Sequence, residues 1–179
     1  ITDQLIFGES NSIAVRVDCS QYEGWWYDGG GIYRDVKLLT TNDCYCMPAD
    51  IYVHTAKNGQ ISITADVTNK GEQKTAKMAL IIEKDGTPLL KAEKSLALTG
   101  EKTAFSAQLQ IHSPALWDVD DPQLYTLTVL LNGERETEIP FGFKDVRFDP
   151  EHGFFLNGKA RTLNGVCLHQ DLAGVGVAL

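Results

Sequence analysis

The chain has 179 residues, of which 43% are hydrophobic and 22% are charged, which is typical of a folded globular protein rather than a disordered one. Its formal net charge of -8 argues against a nucleic acid or an anionic membrane as partner, since both bind clusters of Lys and Arg. No apolar run reaches the roughly 18 residues that a membrane-spanning helix needs. The chain begins without Met, inside a strand pattern and without the regions of a signal peptide, so we expect a piece of a longer protein.

Residues 1–41 predict the last part of a β domain. Apolar and polar residues alternate at 13–17, which indicates a strand, and a second strand pattern covers 32–39. An aromatic and glycine-rich loop at 23–31 separates the two patterns. About two or three strands are too few to close a sandwich, so we expect this segment to be the remnant of a larger sheet.

Residues 42–145 carry the most complete pattern, a series of short segments with apolar residues at every second position. Turn sequences such as Asn58-Gly59, Asp85-Gly86 and Asn132-Gly133 separate them at intervals of about ten residues. Such spacing predicts an immunoglobulin-like antiparallel β-sandwich at the centre of a mainly β chain. The apolar positions are Ile51, Val53, Ile61, Ile63, Ala65, Val67, Met78, Leu80, Ile82, Phe105, Leu109, Ile111, Tyr125, Leu127, Val129 and Leu131.

Residues 146–179 predict a different architecture. Apolar residues run into Asn157-Gly158, a dipeptide that suits both positive-φ positions of a type I′ turn, so we predict a hairpin there. Residues 163–168 are a short apolar run that ends in His169 and Asp171 and is followed by a glycine-bearing loop. Because buried parallel strands present polar groups in this way at the mouth of a (β/α)8 barrel, we predict the truncated start of such a barrel.

Three separated motifs occur in an order known from one enzyme family. They are Trp26-Tyr27-x-Gly29-x-Gly31-Ile32-Tyr33-Arg34-Asp35-Val36, then Leu116-Trp117 with Pro122-x-Leu124-Tyr125-x-Leu127, then Phe155-Leu156-Asn157-Gly158-Lys159 with Asn164-Gly165-Val166 and His169-x-Asp171. Together they resemble glycoside hydrolase family 2, which comprises β-galactosidases, β-glucuronidases and β-mannosidases, and they are most similar to a β-galactosidase. The resemblance implies that residues 1–41 end a sugar-binding jelly-roll domain, that 42–145 are the immunoglobulin-like domain, and that 146–179 begin the catalytic barrel.

The resemblance also implies that the parent protein is a retaining glycosidase, which hydrolyses non-reducing terminal β-glycosides by double displacement. This reaction needs two carboxylates about 5 Å apart. In the family both are glutamates on later barrel strands, and no acidic residue of this chain matches their motifs, so we assign no catalytic residue and expect the chain alone to be inactive. The alternative is a stand-alone β-sandwich that binds carbohydrate or mediates adhesion. A native reading frame that ends at Leu179 would favour that alternative.

The resemblance implies two substrate-binding residues, His169 and Asp171. Imidazole suits sugar hydroxyls because it can donate and accept a hydrogen bond at once. Asp171 matches a family acid, although a carboxylate at this place can equally cap the backbone of the following loop. Where the family commonly has Asn-Arg before the histidine, this chain has Cys167-Leu168, and Gln170 replaces the usual Glu, so the sugar contacts of those side chains are lost or altered.

The remaining aromatic and sulfur-containing residues are assigned to structure. The aromatic residues 25–27 could stack on a sugar, but packing between domains is the favoured interpretation, and Glu23 is only a weak candidate for a sugar contact. We expect Trp117 and Tyr125 to pin the long loop of the sandwich. The cysteines are expected to be free buried thiols, since Cys44-x-Cys46 lacks disulfide geometry and no second pair completes a zinc site. They are Cys19, Cys44, Cys46 and Cys167.

We expect neither a cofactor nor a metal. The other histidines, which are His54, His112 and His152, lack partners at ligand spacing. Carbohydrate is the expected substrate of the parent protein. For the unpaired strands at the two ends of the chain, three alternatives stay open: disorder, docking on the sandwich, or pairing with a second copy in a homo-oligomer.

Overall fold

The computed structural model describes residues 1–18, 31–32 and 34–167. The chain divides into two units, of which one is Thr40–Asn164 and the other takes Ile1–Leu39 and Gly165–Leu179. All described strands lie in the first unit. Within the described residues the helical elements are two 3-10 turns, Thr2–Gln4 and Pro48–Asp50, and neither is long enough to cross a membrane.

Two antiparallel sheets build the centre of the first unit. In one sheet the long strand β3 pairs with β6 along one edge and with β2 and β1 along the other. Its strands are β1 (Cys44–Tyr45), β2 (Ile51–Thr55), β3 (Gln60–Asn69) and β6 (Lys102–Gln110). The second sheet has the order β5-β4-β7-β8. Its strands are β4 (Thr75–Lys84), β5 (Thr87–Ala97), β7 (Tyr125–Leu131) and β8 (Glu134–Phe141).

The core lies between the two sheets and is made by the period-two alternation of the sequence. In β3, Ile61 and Ile63 are fully buried while the flanking Gln60 and Thr64 are exposed. Strands β4 and β7 also bury every second residue. One continuous apolar cluster joins residues of both sheets. Burial of each Ile, Leu or Val side chain stabilises the fold by roughly 1.5–3 kcal/mol. The centre of the chain is therefore an immunoglobulin-like β-sandwich, as the sequence predicts.

The turns follow the predicted chemistry. Asp85-Gly86 and Asn132-Gly133 have φ values of 49° and 75°, and of 52° and 92°. Positive φ at both central residues defines the type I′ turn, whose twist matches that of the flanking strands. Asn157 and Gly158, at 50° and 80°, form the same turn and close the predicted hairpin.

A separate three-stranded sheet follows the sandwich. It consists of β9 (Val146–Asp149), β10 (Gly153–Leu156) and β11 (Lys159–Arg161), in the order β11-β10-β9. Phe154 lies opposite both Phe148 and Arg161, so these three side chains share one face of the sheet. The hairpin predicted around Asn157-Gly158 is thus confirmed.

Two edge strands of the second sheet, β5 and β8, carry no apolar alternation strong enough to predict them. In β5, Glu93 pairs with Lys91 at 3.1 Å and with Lys77 of the neighbouring strand. Most residues of β5 and β8 are exposed or half-buried, because an edge strand covers the core with few side chains. Charged edge strands resist pairing with the sheets of other molecules.

Three strands predicted near the ends of the chain are not found among the described residues. No strand covers 13–17, 34–39 or 163–167, and Ile13 is 74% exposed and Val166 is 96% exposed. The strand predictions for 13–17, 32–39 and 163–168 are therefore wrong where these segments are described. The physical reason is that a strand needs a hydrogen-bonded neighbour, and none of the described residues pairs with these segments.

Candidate functional site

The two predicted substrate-binding residues, His169 and Asp171, lie outside the described residues. The same holds for the aromatic residues 25–27 and for Glu23. A candidate site that the structure does describe is the joint between the sandwich and the hairpin sheet. It is built by the long loop 111–124, which connects β6 to β7, and we call it the loop–hairpin joint.

Tyr125 and Trp117 pin this loop, as the sequence predicts. The Tyr125 hydroxyl accepts a hydrogen bond of 2.9 Å from the backbone N–H of Ala115, and its ring packs edge-on against Phe143 at 5.0 Å between centroids. The backbone N–H of Trp117 donates to the carbonyl oxygen of Phe143 at 2.8 Å. The loop is thereby held to the segment that follows β8.

Gly142 permits the close approach of Trp117 to that segment. A Cβ atom at position 142 would lie 2.8 Å from the Cβ of Trp117 and 3.2 Å from the carbonyl oxygen of Gln123. The indole ring also faces the ammonium group of Lys144, whose Nζ lies 5.1 Å from the ring centroid. The tight contact at position 142 requires glycine because there is no room for a side chain.

Asn157 connects the hairpin to the loop through its amide side chain. Its Nδ2 donates to the carbonyl oxygen of Trp117 at 2.9 Å, and its Oδ1 accepts from the backbone N–H of Asp145 at 3.0 Å. Its own backbone N–H donates to the carbonyl oxygen of Asp145 at 2.8 Å. One residue therefore forms the turn and holds it against the sandwich. The sequence predicts only the first of these roles.

Arg161 makes a second connection, at the end of β11. Its Nη2 lies 2.6 Å from Oδ1 of Asp118 and 3.0 Å from Oδ2 of Asp120, both in the long loop. Burial alone would raise the pKa of the Asp118 carboxyl, but the charge of Arg161 and the backbone N–H groups of the loop outweigh burial and hold this pKa below its usual value. The acidic stretch at 118–121 is the sequence signal for this contact, which was not predicted.

The guanidinium group of Arg161 also carries a donor that no described group accepts. Its Nε is buried and has no hydrogen-bond partner among the described residues. A buried donor without an acceptor costs about 1–3 kcal/mol. The ion pairs of the guanidinium group must offset this cost.

A second cluster places two thiols next to a carboxylate between β1 and β8. The backbone N–H of Cys46 donates to Oε2 of Glu136 at 3.1 Å. Burial first and the charge of Glu136 second raise the pKa of Cys46 to about 12, and the same two causes raise that of Cys44. Both thiols are free and buried as predicted, whereas Cys167 is free but exposed, and Cys19 lies outside the described residues.

His152, in the part of the chain that the structure describes, has a nearby carboxylate partner. Nδ1 of His152 lies 2.9 Å from Oδ1 of Asp149, so this histidine is satisfied by a local turn. Within the same residues, no group of three or more His, Cys, Asp or Glu side chains is arranged to hold a metal ion.

An apolar groove lies where β5 and β6 form the open edge of the sandwich. Its volume is about 420 Å³, and Leu80 and Phe105 are among its lining residues. A sugar stacks on an exposed aromatic face, but Phe105 is only 3% exposed. Lys94 also crosses the groove and donates from Nζ to the carbonyl oxygen of Ser106 at 2.9 Å. This groove is therefore a poor carbohydrate site.

Comparison with known proteins relates the whole chain to one family of enzymes. The family model described as glycosyl hydrolases family 2 matches residues 49–144, which is more than half of the chain. β-Galactosidase BoGH2A of Bacteroides ovatus is 31% identical over 100% of the chain, and a β-glucuronidase of Bacteroides fragilis is 33% identical over 100% of the chain. The chain spans only 22% and 29% of the lengths of these two relatives.

Among solved structures, a β-glycosidase from Bacteroides vulgatus superposes with a TM-score of 0.69 and 30% sequence identity. The match covers 86% of this chain and 20% of that protein. The fold of most of this chain is thus shared with a protein that is roughly four times as long.

Proposed function

Because this chain belongs to the glycosyl hydrolases of family 2, we propose that it is part of a longer retaining β-glycosidase, most similar to a β-galactosidase. The observation that carries the proposal is the extent of the similarity, since relatives named as a β-galactosidase and a β-glucuronidase each match 100% of the chain. A sandwich of the same architecture but different ancestry would match over the sandwich alone. The similarity supports an enzyme rather than a stand-alone binding module.

In the proposed enzyme the chain supplies structure next to the active site. Residues 1–41 would end the sugar-binding domain, 42–145 would form the immunoglobulin-like domain, and 146–179 would begin the catalytic barrel. The end of the family match at residue 144, directly before the hairpin sheet, supports the last of these boundaries.

Catalysis in this proposal depends on two glutamates outside this chain. One protonates the leaving oxygen and the other attacks the anomeric carbon, and retention requires them to be about 5 Å apart. His169 and Asp171 are proposed to hydrogen-bond sugar hydroxyls in the same site. The 179-residue chain alone then has no activity, because it lacks both catalytic groups.

Two β-glycosides are candidates for the substrate of the proposed enzyme. A β-galactoside is the first, on the sequence resemblance and on the B. ovatus relative. A β-glucuronide is the second, because the B. fragilis relative, at 33% identity, is a β-glucuronidase. Both would be hydrolysed by the same two-step reaction. They differ in the orientation of the hydroxyl at C4 and in the group at C6 of the sugar.

The test is hydrolysis of p-nitrophenyl β-galactoside, β-glucuronide and β-mannoside by the full-length protein and by this chain. We expect the full-length protein to hydrolyse one of them and this chain to show no rate above buffer. Absence of hydrolysis of all three by the full-length protein would refute the proposal and favour a binding module. Hydrolysis that titrates with this chain alone would refute the assignment of catalysis to residues outside it.

A variant tests the proposed role of His169. We expect His169→Ala in the full-length protein to lower kcat/KM about ten- to a hundredfold, as for the loss of one or two sugar hydrogen bonds. His112→Ala, at an exposed position of the long loop, is the matched control and should leave kcat/KM unchanged. Equal kinetics for the two variants would assign His169 to structure.

A further inference from the structure

Arg161 is the last residue of β11, and its contacts reach across to a different part of the fold. The partners, Asp118 and Asp120, lie about forty residues earlier in the long loop, at 2.6 and 3.0 Å from Nη2. The side chains of Arg161 and Asp118 are only 29% and 17% exposed. Water therefore screens this ion pair less than it screens a surface pair.

A neighbouring ion pair in the same sheet joins two residues of a single strand. Arg147 and Asp149 form a contact of 2.6 Å, but both belong to β9 and the Arg147 side chain is 55% exposed. This pair lies within one strand and cannot fix the sheet to the sandwich. Only the Arg161 contact of the two connects separate elements.

The position of Arg161 in the chain indicates that the contact also fixes the direction of β11. The chain leaves the hairpin sheet at this residue, and His169 follows eight residues later. Asn157 holds the other end of β11 to the same loop, through the bond of 2.9 Å from its Nδ2 to the carbonyl oxygen of Trp117. With both ends of the short strand held, its direction relative to the sandwich is fixed.

We propose that Arg161 is a positioning residue of the enzyme: by binding Asp118 and Asp120 it fixes the hairpin, which is the first part of the proposed barrel domain, on the long loop of the sandwich. The effect on activity rests on the proposed function. The effect on the hairpin rests on the contacts alone. Arg161 itself touches neither substrate nor reacting atoms in this proposal.

The activity test uses the full-length protein with an active-site titration, so that rates refer to intact sites. We expect Arg161→Ala to lower kcat/KM per titrated site about tenfold and to raise KM, because small displacements of positioned groups reduce reactivity strongly. The paired charge reversal, Arg161→Asp with Asp118→Arg, should restore most of this loss, and Arg161→Lys should restore part of it. Arg147→Ala is the control and should keep KM and kcat.

Two outcomes of that test would overturn the proposal. One is a loss of titratable sites with KM and per-site kcat unchanged, since that is what a merely structural residue gives. The other is a charge reversal no better than the two single reversals. Either would show that Arg161 contributes to stability and not to positioning.

A second measurement separates failure of this inference from failure of the proposed function. In the 179-residue chain, Arg161→Ala should speed amide hydrogen exchange in β10 and β11 about tenfold and leave β3 and β4 unchanged. Unchanged exchange in the hairpin overturns the inference whatever the activity. If the hairpin responds but the unmodified full-length protein hydrolyses no glycoside, then the role of Arg161 in fixing the hairpin is retained and the proposed function is refuted.

Discussion

The hydroxyl of Tyr125 accepts a hydrogen bond of 2.9 Å from the backbone N–H of Ala115, which closes the long loop across its own base. Tyr125 is the first residue of β7 and is 3% exposed, so the loop is anchored directly in the core. A polar tip on a buried aromatic body suits this role, since the ring packs in the core while the hydroxyl binds the backbone.

Tyr125→Phe should therefore weaken the fold without changing its packing. We expect the free energy of unfolding in urea to fall by about 1–2 kcal/mol, because the Ala115 N–H loses its acceptor while the ring stays in place. Tyr52→Phe, on a ring that is 58% exposed, is the control and should change stability little. Equal effects of the two substitutions would mean that the Ala115 bond contributes nothing.

Gly142→Ala tests the close contact with Trp117. The added methyl group would lie 2.8 Å from the Cβ of Trp117. Overpacking of this kind costs about 1–3 kcal/mol, which thermal or urea unfolding can measure. Gly100→Ala is the matched control, since a Cβ there meets no atom within 4 Å, and it should be neutral or stabilising. If both substitutions are neutral, the loop moves freely enough to accept the methyl group.

Asp149 makes the turn between β9 and β10 sensitive to acid. Its pKa is lowered to about 2, first by the side-chain hydrogen bond with His152 and then by the backbone N–H of His152 and by Arg147. A carboxyl with a depressed pKa contributes stability above its unfolded value of about 3.9, and this contribution is lost as the pH falls through the folded value. We expect the protection of the turn amides against hydrogen exchange, taken relative to the intrinsic rate at each pH, to fall between about pH 4 and 2, and Asp149→Asn to remove that dependence. A carboxyl titration of Asp149 at its ordinary pKa would contradict the prediction.

The buried thiols should be unreactive in the native chain. With a pKa of about 12, Cys46 is ionised at pH 8 to only about one part in ten thousand. Iodoacetamide should modify exposed Cys167 first and reach Cys44 and Cys46 only after unfolding, which mass spectrometry of a Cys19→Ser background would show. Comparable native rates for Cys46 and Cys167 would contradict the burial of the former.

The sandwich could be predicted because the sequence patterns that specify it, alternation within a strand and turn residues, are local. Positions such as Ile61, Ile63 and Leu127 alternate with polar neighbours, and type I′ turns at Asn132-Gly133 and Asn157-Gly158 follow from residues that accept positive φ. The edge strands β5 and β8 could not be predicted in this way, because their side chains face water and their pairing depends on distant partners.

Within the loop–hairpin joint, the Tyr125 and Trp117 contacts were predicted, but the partner of Arg161 was not, for a similar reason. Arg161 and Asp118 are far apart in sequence, and no periodicity relates them. At the ends of the chain the error was the opposite one, because strands were predicted that the described residues do not form. The apolar pattern at 13–17 is typical of a strand, but a pattern does not supply the hydrogen-bonded neighbour that a strand requires.

Asn157 limits how this stretch of sequence can vary. Gly would keep the turn but remove both side-chain bonds, Asp would lose the donor to the carbonyl oxygen of Trp117, and Ala would lose these bonds and suit the positive φ poorly. Asp85 occupies the equivalent turn position between β4 and β5, but its side chain is 85% exposed and pairs with the adjacent Lys84. A substitution at position 157 must therefore meet the demands of the turn and of the side-chain bonds at once, whereas one at position 85 must meet mainly that of the turn, so we expect far fewer residue types to be tolerated at position 157.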